Sequence, residues 1–300
     1  MTMSVVETMC DIELPVPEKI EGDGFAVEAV LSDLNQRIQV VDYEADDLLT
    51  MVGELEQEGR DRGYGKVFIK APMEDRPPFE EAGLSTEASI TGYFAGEPAA
   101  VMSMFLEDER QHQANSDEQE RILRAIRTRP ADPSLPPLPP GYRMTVAEPD
   151  DAEEMAALYS TVFASYPFPI TEPEYVVSTM ESHVVYRILR DAGGSVVAAA
   201  SAETDPEHLN AEMTDFATLP DQRGLGLAQH LLAALEDDME ERGIPNLYTI
   251  ARARSAGMNR VFYNRGYHWT GTLVNNCHIA GRFEDMHVWC KPLSEDLGTV

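Results

Sequence analysis

The stretch Asp215-Phe-Ala-Thr-Leu-Pro-Asp-Gln-Arg-Gly-Leu-Gly-Leu-Ala228 sets an arginine and two glycines between a strand-like run and the amphipathic pattern Gln229-His-Leu-Leu-Ala-Ala-Leu235. Gly224 and Gly226 lack Cβ atoms, so the backbone there can approach a ligand closely. The loop opens into a helix, whose unpaired N–H groups and dipole favour an anion. Arg223 adds a fixed positive charge, and the whole suits a pyrophosphate. It is not the G-x-G-x-x-G fingerprint, and the chain has no G-x-x-x-x-G-K-[ST] loop. Two carboxylates, Glu212 and Asp215, lie on the strand just before it. Strand alternation is expected to send them to opposite faces, with Glu212, Thr214 and Phe216 sharing one.

The elements around this loop fall into two halves. Residues 1–21 are Pro- and acid-rich and read as a loose arm. Residues 22–129 carry a mixed α/β pattern that ends in a helical stretch at Glu118–Arg127. Residues 130–140, Pro-Ala-Asp-Pro-Ser-Leu-Pro-Pro-Leu-Pro-Pro, read as a polyproline-like linker, because proline lacks a donor and fixes φ. A second α/β pattern fills 141–293, and 294–300 is a tail. The halves echo each other. Leu48–Gly63 and Leu231–Gly243 are both amphipathic helices with a glycine stop. The apolar strands Lys66–Ala71 and Leu247–Arg252 follow. Phe79-Glu-Glu-Ala-Gly83 then matches Phe262-Tyr-Asn-Arg-Gly266, and two strand-like runs close each half. The first half lacks the glycine loop and is not expected to hold a pyrophosphate in the same way. Different strand orders in the two halves would refute the repeat.

Composition narrows the functional classes. Three hundred residues suggest about two domains, and 43% apolar residues are enough for real cores. No run reaches a membrane span and no signal pattern opens the chain, so a soluble cytoplasmic protein is expected. Cys10, Cys277 and Cys290 are too few and too scattered for a disulfide framework or a zinc site, and no metal is expected. The net charge of −30 disfavours nucleic acid and anionic lipid as partners. The acid is spread along the chain, as in a protein kept soluble in concentrated salt, or one that draws in a cationic small molecule. An oligomeric state is not readable.

The order R-G-x-G-x-A after a strand ending in Leu-Pro resembles the acetyl-CoA loop of the GNAT acyltransferase superfamily. Most of the chain is similar to a narrower group, the β-lysine N-acetyltransferase family. The residues that carry this are Tyr166-Pro-Phe-Pro-Ile170, Asn210–Pro220, Tyr248–Ala253, Gly257-Met-Asn259, Gly271–Asn276, Val288-Trp289 and Lys291-Pro-Leu293. In the first half they are Gly63-Tyr64, Lys66–Pro72 and Glu87-Ala88. Cys277, His287 and Cys290 depart from the family pattern. The resemblance implies an α/β (α+β) fold: a GNAT-type mixed central sheet flanked by helices, with a related, degenerate GNAT-like N-terminal half. It also implies acetyl-CoA as cofactor and Nε-acetyl-β-lysine, a compatible solute, as product.

What the resemblance implies for single residues follows the reaction, transfer of an acetyl group from a thioester to a neutral amine. Gln222, Arg223, Gly224, Leu225, Gly226, Leu227 and Ala228 hold the cofactor, and a backbone N–H among Phe216, Ala217 and Thr218 meets the acyl oxygen. Asn259 either contacts pantetheine or caps a helix. The base is Glu212, with Asp215 a base or an ammonium partner. The usual acid tyrosine is displaced by one place, leaving Tyr263, Tyr248 or Tyr267, or no acid at all. Arg252 and Arg254 are placed to hold the substrate carboxylate. Tyr166 and Phe168 wall the pocket, and Asn275, Glu284, Asn276 and Glu172 are candidates for the amines. Other acceptors stay open: lysine, a polyamine, a protein amine, or none in a non-catalytic acyl-CoA sensor.

Overall fold

A computed structural model describes residues 17–293 of the chain. The arm residues 1–16, Cys10 and the tail 294–300 lie outside the described residues. The last part of the expected arm is a strand: β1 (Glu18–Gly22) pairs antiparallel with β2 (Phe25–Ser32).

The first half continues through β3 (Arg37–Ala45), α1 (Leu48–Asp61), β4 (Lys66–Pro72), α2 (Arg76–Glu81), β5 (Ser85–Phe94) and β6 (Glu97–Phe105). Two helices, α3 (Asp108–Gln111) and α4 (Ser116–Arg127), lead to the Pro-rich segment. The second half holds β7 (Arg143–Val146), α5 (Ala152–Val162), α6 (Pro173–Met180), β8 (Val184–Arg190), β9 (Val196–Asp205), β10 (Asn210–Thr218), α7 (Leu227–Glu241), β11 (Asn246–Arg252), α8 (Ala256–Asn264), β12 (His268–Ile279) and β13 (Arg282–Pro292). The sheets run β1-β2-β3-β4-β6-β5 and β7-β8-β9-β10-β11-β13-β12. Matched strand by strand, β1 to β6 against β8 to β13, they share one order and one pattern of directions, with a single parallel pair in each: β3 with β4 and β10 with β11. The second half adds β7, α5 and α6.

Local sequence explains the matched helices. In α7, Leu227, Leu231, Leu232, Leu235 and Met239 form the buried stripe, and Gly243 at φ 70° stops the helix. In α1 the stripe is Met51, Val52 and Leu55, and Gly63 at φ 70° is the stop. Their N-termini differ. Asp47 caps α1, accepting from the Leu49 N–H at 3.1 Å and the Thr50 hydroxyl at 2.7 Å. A carboxylate thus occupies the anion position of the first half.

Two arrangements depart from the linear reading. Helix α4 precedes the Pro-rich segment yet packs into the second half, with Leu123 and Ile126 in the core of α7 and α8. The Pro-rich segment is a strap on that same half. Its carbonyls accept from Gln229 (3.2 Å), His230 (2.6 Å) and Arg260 (2.9 Å). A segment rich in proline forms no regular ladder, which leaves the carbonyls of Pro130, Ser134 and Pro136 to these side chains.

The sheets share a core. Phe68, Ala88, Ile90 and Val101 of the first pack against Tyr248, Leu273, Met286 and Val288 of the second. A Cβ on Gly271 would lie 2.2 Å from the Glu87 carbonyl oxygen, so only glycine lets these backbones approach. Beside it the buried Lys66 ammonium donates to Glu87 at 2.7 Å and to the Val274 carbonyl at 2.9 Å.

Candidate active site

The site begins with an irregularity in β10. Thr214 pairs with Ser201 and Ala217 with Ala199, so β10 spends one residue more than β9 over this interval. The extra residue is Asp215, at φ 56°. The bulge changes which side chains share a face. Phe216 packs with Ala211 and Met213 in the core beneath α7 and α8, not with Glu212 as alternation predicted. Asp215 instead joins the face of Glu212 and Thr214, where the Ser201 hydroxyl donates to it at 2.5 Å and the Tyr166 hydroxyl at 2.7 Å. The two carboxylates therefore do not face opposite ways. Burial pushes Asp215 up to about 6, against the pull of those two hydrogen bonds.

The bulge also parts the strands. Strand β10 pairs with β11 only from Asn210 to Glu212, although both strands run on. The edge of β10 facing β11 beyond Glu212 thus carries unpaired backbone groups. This edge leads into the glycine loop, where Gly224 and Gly226 have φ of 84° and 76°. The N–H groups of Arg223 through Ala228 donate to no protein acceptor among the described residues. Open space surrounds the position of a Cβ on Gly224, while one on Gly226 would meet the strap at Pro136, 2.4 Å away. Orphan donors, a helix N-terminus and the exposed Arg223 fit a pyrophosphate.

A cavity of about 760 Å³ lies between the two halves at this point. Glu212, Thr214, Tyr248, Tyr166 and Phe168 line it from the second half, and Arg37, Phe68, Lys70 and Tyr93 from the first. Lys70 donates to the Tyr248 hydroxyl at 3.0 Å. Burial raises Glu212 to about 7, while the Lys70 ammonium pulls it down and Glu203 pushes it up. Burial opposes the charge on Lys70, but the Tyr93 hydroxyl, which accepts from it at 3.4 Å, and the carboxylates of Glu212 and Glu203 outweigh it and hold its pKa above normal. Glu203, Asp205 and Glu207 make another part of the wall acidic.

Several expected site residues are engaged elsewhere. Arg254 pairs with Glu118 of α4 at 2.9 Å, and neither it nor Arg252 lines the cavity. The Asn275 amide donates to the carbonyls of Arg110 (2.9 Å) and His112 (3.0 Å), which pins α3. Glu284 is buried and accepts from Arg282 at 2.6 Å, and Glu172 also lies off the cavity wall. Asn259 neither caps α8 nor faces the cavity. It donates to the Arg252 and Ser255 carbonyls and accepts from the Trp289 indole at 2.8 Å, tying α8 to β11 and β13. Tyr263 packs edge-on against Trp289 and under Arg260, away from the cavity wall. Tyr267 is buried beside Glu236. Of the three candidate tyrosines, only Tyr248 lines the cavity. Arg37, Lys70 and Tyr93 escaped the sequence reading. One signal was available: Lys70 is a charge inside the apolar strand Val67-Phe-Ile-Lys-Ala71.

A mixed sheet split beside a bulged strand, with a glycine loop opening the next helix, defines an acetyl-CoA-dependent N-acetyltransferase. The chain belongs to the acetyltransferase (GNAT) family, whose model matches residues 152–267. The chain is similar to the beta-lysine N(6)-acetyltransferase of Methanococcus maripaludis, at 37% identity over 88% of this chain and 95% of that protein. It is also similar to the N-acetyltransferase YodP of Bacillus subtilis, at 36% over 89% and 97%. The beta-lysine N(6)-acetyltransferase of Methanosarcina mazei is 36% identical over 76% and 92%. These relatives span both halves. Among the described residues no helix is long and apolar enough to cross a membrane.

Proposed function

We propose that the protein acetylates the side-chain amine of L-β-lysine, giving Nε-acetyl-β-lysine as a compatible solute in a salt-adapted cytoplasm. The observation that carries this reading is Glu212, half-buried on the cavity wall where β10 leaves β11. Alkylamines are protonated near neutrality, with pKa values around ~10, and must lose a proton before they attack. A carboxylate held at about 7 is matched to that transfer. The name that the Methanococcus and Methanosarcina relatives share suggests the acceptor, and the net charge of −30 suits a salt-rich interior.

Roles for the chain's residues follow. The loop Gln222–Ala228 holds the pyrophosphate through its orphan N–H groups and Arg223. Acetyl-CoA, when bound, supplies an activated acyl carbon and a thiolate leaving group. Glu212 takes a proton from the ammonium, so that the nitrogen lone pair is free to form the amide bond. The unpaired N–H edge at Phe216 to Thr218 faces the charge that develops on the acyl oxygen. Tyr248, hydrogen-bonded to Lys70, stands beside this chemistry and can return a proton to sulfur. Asp215 accepts from Ser201 on one oxygen and from Tyr166 on the other, and its role is to hold the Tyr166–Ile170 loop against β10. We assign the second half to cofactor and chemistry, and the first to the cavity wall.

The acidic wall of Glu203, Asp205 and Glu207 also favours a second reading, a polyamine acceptor. Acetyl-CoA consumption with L-β-lysine, L-lysine, diamines and a lysine-containing peptide, in low and high potassium chloride, separates the two. Preference for β-lysine is expected. Turnover of diamines alone would transfer the activity to polyamines, and tight acetyl-CoA binding without turnover would mark a sensor.

A further inference from the structure

Arg37 and Lys70, both from the first half, put two cations on the cavity wall of a chain of net charge −30. Arg37 opens β3 and is 6% exposed; Asn276, on β12, is 3% exposed. Both line the cavity. The guanidinium finds only neutral acceptors, the Asn276 carbonyl at 2.8 Å and the Gln39 amide oxygen at 2.6 Å. Its Nε and the Asn276 Oδ1 are buried without a hydrogen-bond partner among the described residues. The neighbouring charges do not compensate. Lys66 is already matched by Glu87, and Arg110 is bound to the carbonyls of Asn35 and Asn275. Arg37 thus lines the cavity with no carboxylate hydrogen-bonded to its guanidinium.

A buried cation without a counter-ion is costly, and so is an orphan amide oxygen. Each loss is repaired by a ligand of one kind: an anion for Arg37 and a donor for Asn276. A β-amino acid offers both at one end of the molecule, leaving its distal amine for Glu212. A plain polyamine offers only cations, which Arg37 repels. We propose that Arg37 and Asn276, one from each half, form the receptor for the carboxylate and the second ammonium of the substrate. This rests on the reading that the acceptor is a diamino acid. It gives the first half a specificity role that its missing glycine loop does not supply.

The test uses the full chain and two amines, L-β-lysine and 1,4-diaminopentane, which lacks only the carboxylate. The wild type should prefer β-lysine. Arg37→Gln should lower kcat/KM for β-lysine about 100-fold, chiefly through KM, because a charge-assisted bond to a buried carboxylate is lost. On 1,4-diaminopentane it should fall far less, so the preference collapses. Asn276→Ala should raise KM for both amines, since both keep the second ammonium. Acetyl-CoA affinity and the melting temperature, measured alongside, separate these effects from misfolding. If Arg37→Gln reduces both amines equally, or neither, the receptor is refuted while the acetyltransferase stands. If the wild type turns over 1,4-diaminopentane and not β-lysine, the diamino-acid reading itself falls, and the receptor with it.

Discussion

The Lys70 ammonium, on β4 of the first sheet, donates at 3.0 Å to the hydroxyl of Tyr248, on β11 of the second. Lys70 also lowers the pKa of Glu212 through space. The sign of its effect on activity follows. Glu212 must be ionised to accept a proton, so turnover falls as pH drops through its pKa near 7. Lys70→Met should move this acidic limb to higher pH, by about one unit. A pH–rate profile of kcat checks it, and an unmoved limb would remove Lys70 from the site's electrostatics.

Glu212→Gln should lower kcat by at least about 100-fold and leave acetyl-CoA affinity intact. Stability should move the other way. The folded pKa lies above the unfolded value, so the ionised carboxylate destabilises the fold once the pH has risen past both. The variant should therefore melt higher than wild type at pH 8 and show no such gain at pH 4. Unchanged turnover would exclude Glu212 as the base.

Gly226 is the N-cap of α7 in the left-handed region and faces Pro136 of the strap. Gly226→Trp should displace the strap, block the pyrophosphate loop and weaken acetyl-CoA binding by more than about tenfold. Calorimetry reads the affinity. Wild-type affinity in a folded variant would place the pyrophosphate elsewhere.

The side-chain hydrogen bonds of Asn259 tie α8 to β11 and β13. Asn259→Ala leaves the buried Trp289 indole N–H unpaired and should cost about 1–3 kcal/mol in denaturant titration. Acetyl-CoA affinity, taken at a temperature where the variant is folded, should match wild type. A specific loss of cofactor binding would restore Asn259 to the cofactor site.

The halves should not survive separation. Fragment 141–300 lacks Leu123 and Ile126 from its helical core and bares the surface that packs on β5. It should bind a hydrophobic dye or aggregate, and Gly271→Val in the full chain should cost roughly 1–3 kcal/mol by forcing the sheets apart. A monomeric, cooperatively melting fragment would contradict this.

The sequence alone determined the glycine loop, the helix-glycine-strand repeat and the proline segment. Each is written in local backbone chemistry: missing Cβ atoms, a 3.6-residue stripe, absent N–H donors. Glu212 was legible for a similar reason, because it lies on the strand that feeds the loop. Tertiary structure alone decided the rest. One extra residue at Asp215 reversed the face of Phe216, and no alternation rule foresees a bulge. Arg254, Asn275 and Glu284 lie near the right strands in sequence but were drawn to Glu118, the Arg110 carbonyl and Arg282. Arg37 and Lys70 reached the cavity because two sheets pack face to face. That juxtaposition arises from buried surfaces more than a hundred residues apart, which spacing along the chain does not encode.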